Sequence, residues 1–179
     1  MKHIVNLKIN INKDDLIIDS NYMKIVVASF YRYNRGYKYV CTEFEKKDVC
    51  ASNGETLVEI ECKISKADLK KELKKKKHDY YSFKKKRRSF TIPNKFYIAI
   101  TKEMFRDKEC IEIIEKLNDN YGIIVVESWR NISFEKYAKK LHDNKININK
   151  KDNIVARLSS ENIILRKQVY DLKKQKNTD

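Results

Sequence analysis

Residues 48–64 read DVCASNGETLVEIECKI, and how this stretch is read decides the fold. From Thr56 to Ile64, Val58, Ile60, Cys62 and Ile64 fall on one face, while Glu59, Glu61 and Lys63 fall on the other. That period of two is a β-strand with its apolar side turned to a core. Just upstream, Ser52-Asn53-Gly54-Glu55 signals a reversal, because Asn-Gly accepts the positive φ of a tight turn. With Asn53-Gly54 at its centre, Asp48 lies opposite Glu59 and diagonal to Glu61, and a single bulge moves it toward Glu61. Carboxylates from two strands then converge beside a lysine. The ordinary alternative is an exposed, salt-bridged strand face, which is worth little energetically.

Outward from this hairpin the pattern alternates. Met1 to Asn12 reads as a strand, and Asn21 to Tyr33 as a helix burying Met23, Val26, Val27 and Phe30. Tyr37 to Phe44 and Asp48 to Ala51 read as strands. Ser65-Lys66-Ala67-Asp68 resembles a capping box, opening a helix through about His78. Lys95 to Thr101 (KFYIAIT) and Gly122 to Glu127 (GIIVVE) are apolar enough for buried strands, with a helix through Ile111, Ile114 and Leu117 between them. Ser133 to Asp143 carries Phe134, Tyr137, Ala138 and Leu141 at one-face spacing and predicts a helix. Strands alternating with helices predict an α/β domain.

The 179 residues suffice for one domain plus an appendage. Apolar residues make up 41%, enough for a core and against wholesale disorder. Three Gly, at Gly36, Gly54 and Gly122, leave no room for a glycine-rich phosphate cradle. No apolar run reaches the length of a membrane span, and Met1 to Asn12 lacks the apolar block of a signal peptide. Cys41, Cys50, Cys62 and Cys110 stand apart without C-x-x-C spacing, which predicts free thiols in a reducing compartment, cytoplasmic or nuclear. The net charge of +15 favours a polyanionic partner. Between Lys63 and Arg88, thirteen Lys/Arg face three acids, two thirds of the whole excess. Aromatics interleave these cations, as suits phosphate contacts and base stacking. Lys74, Lys75, Lys77, Lys84, Lys85, Lys86, Arg87 and Arg88 are therefore the expected nucleic-acid contacts.

Two carboxylates on adjacent strands suit Mg²⁺ or Mn²⁺, hard ions that keep several waters and take phosphate oxygens as further ligands. Such an ion lowers the pKa of a bound water, and a neighbouring lysine orients it or stabilises developing negative charge. The backbone carbonyl of Cys62, between Glu61 and Lys63, is a further candidate ligand. Asp48 followed by Glu61-Cys62-Lys63 resembles the PD-(D/E)XK nuclease superfamily. The stretch from about Tyr37 to Val126 is most similar to its MmcB-like DNA-repair group. Glu43 stands where that group has an acid ahead of its basic-Asp motif, here Lys46-Lys47-Asp48. Glu61-Cys62-Lys63-Ile64-Ser65 and Ala67-Asp68-Leu69 match the motifs that follow. No Pro precedes Asp48, and the lysine-rich stretch is more basic than that pattern. The resemblance implies a restriction-endonuclease-like mixed sheet flanked by helices, metal ligands at Asp48 and Glu61, a catalytic Lys63 and an auxiliary acid at Glu43. Glu59 is the spare carboxylate should the hairpin register differ.

Near the carboxyl end, Val155, Leu158, Asn162, Leu165, Val169 and Leu172 repeat at alternating spacings of three and four. This is a leucine-zipper register in which Asn162 at a core position selects a parallel pair and Glu161 attracts Arg166 across chains. The alternative is an amphipathic helix docked on its own domain. The expected organisation is a nuclease-like domain over 1–144 and a coiled-coil-like helical tail over 145–179, in a homodimer. The expected function is metal-dependent endonucleolytic cleavage of DNA, RNA being the second substrate class. The alternatives are a non-catalytic nucleic-acid-binding protein of the same fold and a zipper-mediated structural or regulatory protein.

Overall fold

The computed structural model describes residues 18–82, 92–128 and 131–176. The expected strand at Met1–Asn12 and the cations Lys84 to Arg88 lie outside the described residues. Among the described residues, six strands form one mixed sheet in the order of the chain: β1 (Tyr39–Phe44), β2 (Lys47–Ser52), β3 (Leu57–Lys63), β4 (Lys95–Thr101), β5 (Gly122–Ser128) and β6 (Asn131–Lys136). β1, β2 and β3 run antiparallel, β3, β4 and β5 run parallel, and β6 returns antiparallel at the far edge. The helices are α1 (Ser20–Ser29), α2 (Lys66–Glu72), α3 (Lys77–Tyr81), α4 (Lys102–Arg106), α5 (Lys108–Leu117) and α6 (Ile148–Lys176). The α/β architecture with a flanked mixed sheet is thus as the alternation of elements required.

One face of the sheet is covered by α1. Asp19 caps it, its carboxylate accepting from the Tyr22 N–H at 2.7 Å. Met23, Val26 and Val27 then pack on Val49, Ala51, Val58, Ile60 and Cys62. A π-helical turn, Phe30–Asn34, follows. Its extra residue rotates the buried position, so Tyr31 enters the core in place of the expected Phe30. The opposite face is covered by α2 to α5, with Leu69, Phe96, Ile98, Ile100, Ile114 and Tyr121 at its centre.

Three expectations are corrected. The hairpin between β2 and β3 pairs Cys50 with Glu59 and Ser52 with Leu57, two positions off the expected register. The Asn53 side chain explains this: its carbonyl accepts from the N–H groups of Glu55 and Thr56, widening the reversal to four residues. Extending the observed register aligns Asp48 with Glu61. The expected single helix through His78 is two, α2 and α3, separated at Leu73–Lys76. The expected helix from Ser133 to Asp143 is instead the edge strand β6 followed by extended chain. Ile132 and Phe134 obey a period of two and pack on the sheet core, while Tyr137 remains 64% exposed.

The tail is a helix, and its first half belongs to the domain. Ile154 is buried among Cys41, Phe44, Cys50 and Leu57, with Leu158 packed alongside. Val155 and Leu165 are 45% and 59% exposed, and Asn162 is exposed. The side chains of Val169 and Leu172 lie outside the described residues. Glu161, expected to reach across to a partner chain, accepts from Thr42 Oγ1 and Arg157 Nε within its own chain, each at 3.1 Å. All four cysteines are buried free thiols. Among the described residues, no helix is long and apolar enough to cross a membrane.

Candidate functional site

Both faces of β3 are buried, so the charged face of the sequence is not a solvated one. Glu59, Glu61 and Lys63 are 0%, 1% and 4% exposed beneath α2 and α3. The helix start responsible is local: Ser65 Oγ accepts from the Asp68 N–H at 3.2 Å, and α2 then carries Glu72 over the sheet. From the α2–α3 connection and α3, Lys75 and Lys77 reach down into the same space.

The outcome is a compact network of alternating charge. Lys77 Nζ lies 3.1 Å from Glu59, 2.5 Å from Glu61 and 3.1 Å from Glu72. Lys75 Nζ lies 2.9 Å from Glu61 and 2.7 Å from Glu72. Lys63 Nζ lies 3.2 Å from Glu61, 3.0 Å from Glu72 and 3.7 Å from Asp68. Tyr81 donates its hydroxyl to Glu59 at 2.7 Å, and His78 bridges Glu72 and the Tyr121 hydroxyl. Glu72 Oε2 takes its countercharge from the ammonium groups of Lys63 and Lys75.

Proton affinities follow this arrangement. Burial pushes the Glu61 and Glu72 carboxyls up. Lys77 and other cations, with a hydrogen bond from His78 at Glu72, outweigh it and hold both below the ordinary 4.5. Glu59 goes the other way: burial dominates and lifts it, although Lys77 opposes. Burial weakens the charged forms of Lys63 and Lys77, yet the surrounding carboxylates hold both above 10.5.

Asp48 stands at the rim of this network. Its Oδ2 accepts the Cys62 N–H at 2.8 Å, replacing a backbone acceptor where the β2–β3 pairing ends at Val49 and Ile60. Its Oδ1 is 3.4 Å from Lys24 of α1, which also holds Glu43 at 2.5 Å. Burial first, then the charge of Glu61, raises the Asp48 carboxyl above 3.8, against the Cys62 N–H, Lys24 and Lys63. Glu43 is half exposed at a positive φ of 52°, and Glu45 and Lys46 form the following reversal at 51° and 65°. Glu43, Glu45 and Lys46, three residues in left-handed backbone close in sequence to Asp48, constitute local strain of a kind that collects at functional sites.

The expected residues are therefore divided among three settings. Asp48, Glu61, Lys63 and the Cys62 backbone come together; Glu43 is tied to Asp48 through Lys24. Lys77, expected on a phosphate-gripping surface, is largely covered and neutralised by acids, and Lys75 is drawn partly inward. Lys74 is exposed. Lys24, Glu72, His78 and Tyr81 escaped the sequence reading; the signal for Glu72 was its place as an acid inside a run of lysines. Among the described residues, no group of three or more His, Cys, Asp or Glu side chains is placed to hold a metal ion. Asp48 and Glu61 are two carboxylates, and Mg²⁺ is commonly held by one or two with water completing the shell.

Neither a known protein family nor a curated protein matches this sequence. Among solved structures, the chain is similar to the SPO1766 protein of unknown function from Silicibacter pomeroyi. The two are 17% identical over 88% of this chain and 96% of the other, with a TM-score of 0.57. At that identity the likeness extends to the fold alone.

Proposed function

We propose that this chain is a metal-dependent nuclease acting on DNA, with its centre at Asp48, Glu61 and Lys63. The observation that carries the reading is the hydrogen bond from the Cys62 N–H to Asp48, which fixes a carboxylate of β2 against the Glu61-Cys62-Lys63 segment of β3. The donor chemistry fits Mg²⁺ or Mn²⁺. Asp48, Glu61 and the Cys62 carbonyl would hold it, with Lys75, the most exposed at 40% of the three lysines on Glu61, giving way while Lys63 and Lys77 stay. When bound, such an ion supplies an acidified water and shields phosphate charge. Lys63, held protonated by Glu61 and Glu72, stabilises negative charge on the phosphodiester. Lys74 and the wider excess of +15 attract the polyanion.

The test is incubation of labelled duplex, single-stranded and branched DNA with Mn²⁺ or with EDTA, alongside Mn²⁺ calorimetry. Asp48→Asn retains an acceptor for the Cys62 N–H, so it should fold, yet lose Mn²⁺ affinity and cutting. Lys63→Ala should reduce cutting by roughly 10²–10³-fold while leaving DNA affinity intact. A wild-type chain that neither binds Mn²⁺ nor cuts overturns the reading. The second reading, a nucleic-acid-binding protein that cuts nothing, is favoured by the lysine ammonium groups already at both oxygens of Glu61. It predicts salt-sensitive DNA binding indifferent to EDTA.

A further inference from the structure

Two segments that the Asp48 site does not use meet on one surface. Residues 30–38 read FYRYNRGYK and residues 131–140 read NISFEKYAKK; together they hold six Lys/Arg, one acid and six aromatic residues. The π-helical turn and β6 bring them side by side. Phe134 packs its ring 5.7 Å from Phe30, 6.4 Å from Tyr31 and 5.5 Å from Tyr97. Tyr137 lies parallel on Phe134, centroids 5.3 Å apart and planes 11° apart, and the Arg35 guanidinium is 4.9 Å from the Phe134 ring centre. Tyr137 is nonetheless 64% exposed, and Tyr33, from the same π-helical turn, is 81% exposed.

We infer that this surface is a stacking platform for single-stranded nucleic acid, with an unpaired base on Tyr137 and phosphates met by Arg35, Lys136 and Lys139. Tyr137 is oriented by Phe134 beneath it, so little freedom remains to be lost when a base adds to the stack. The surrounding charge selects the occupant. Lysine is depleted from protein–protein contacts, whereas cations interleaved with aromatics match a chain of phosphates and bases. The platform is also connected to the acid site: α1 presents Lys24 to Asp48 and runs into the π-helical turn at Phe30, about 9 Å on by helical rise. The platform does not require that Asp48 and Glu61 support cleavage.

Fluorescence anisotropy of labelled oligo(dT) and oligo(rU), in EDTA so that no chemistry is read, tests this directly. Tyr137→Ala should weaken binding roughly tenfold, while Tyr137→Phe and Tyr137→Trp stay within about twofold of wild type. The dependence of affinity on salt should keep its slope in Tyr137→Ala, since no phosphate contact is lost. The oligo(rU) arm decides between DNA and RNA as source. Equal binding by wild type and Tyr137→Ala, or a loss that Phe fails to rescue, overturns the proposal. So does Tyr137-dependent binding to anionic phospholipid vesicles without a matching effect on the oligonucleotides. Should the platform bind as expected while Mn²⁺ elicits no cleavage, the nuclease reading falls and the platform stands.

Discussion

Lys77 shows what a single side chain does in this molecule. Its side chain is 10% exposed, its ammonium touches Glu59, Glu61 and Glu72, and it lies 5.0 Å from the Phe96 ring. Removing it would leave three buried carboxylates short of countercharge, so Lys77→Met should destabilise the fold by about 3–5 kcal/mol in urea titration. Glu61 and Glu72 have folded-state values below 4.5, so their stabilisation is present above that pH and lost as acid titrates them. Lys63 and Lys77 lie above 10.5, so theirs is present below that pH and lost as alkali rises past it. Glu59, lifted by burial, partly offsets the acid limb. Melting temperature against pH should therefore fall at both extremes, and Lys77→Met should flatten the acid limb. At this scale Glu61 and Lys63 were legible because alternation along one strand displays them. Glu72, Lys77 and Tyr81 were not, because folding of α2 and α3 back across the sheet is what joins them to β3.

Elements carry their own strain and fit. The β1–β2 reversal places Glu45 and Lys46 at positive φ, a two-residue geometry that Asn-Gly adopts without steric cost. Lys46→Gly, which leaves Glu45 paired with the buried Lys47, should raise the melting temperature, by about 0.5–1 kcal/mol of stability. If Glu43's strained backbone sets the rim of the acid site, the same change should alter Mn²⁺ affinity. At Gly122 on β5 the close approach is what matters: an added Cβ would meet the Tyr97 ring and the Ala138 backbone nitrogen, the latter at 2.7 Å. Gly122→Ala should cost about 1–3 kcal/mol, read by thermal denaturation. Strand identity was legible wherever apolar runs were long, as in KFYIAIT and GIIVVE. Register was not, since Asn53 accepting from two backbone N–H groups shifted it by two positions. The helix expected at Ser133 failed for a related reason. Phe134 and Tyr137 fit a helical spacing, but Ile132 and Phe134 also fit a strand, and the open edge of β5 decided between them.

At the scale of the molecule, the sheet is finished by its most distant partner. Ile154 of α6 is 1% exposed within the cluster around Cys41 and Phe44, and Thr42 bonds Glu161 from 119 positions away. Ile154→Ala should therefore lower stability by about 2–5 kcal/mol, as a core substitution would, in chemical denaturation of the full chain. Heptad spacing alone could not reveal this, because Leu158 satisfies a zipper seam and an intramolecular dock equally well. Where the helix extends beyond β1, Leu165 is exposed. Strand β1 thus waits on α6 during synthesis. While a ribosome still encloses residue 154, the emerged β1 has Cys41 and Phe44 without their cover. A nascent chain in that condition would be a client for chaperones until translation has passed the α6 turn that shields it.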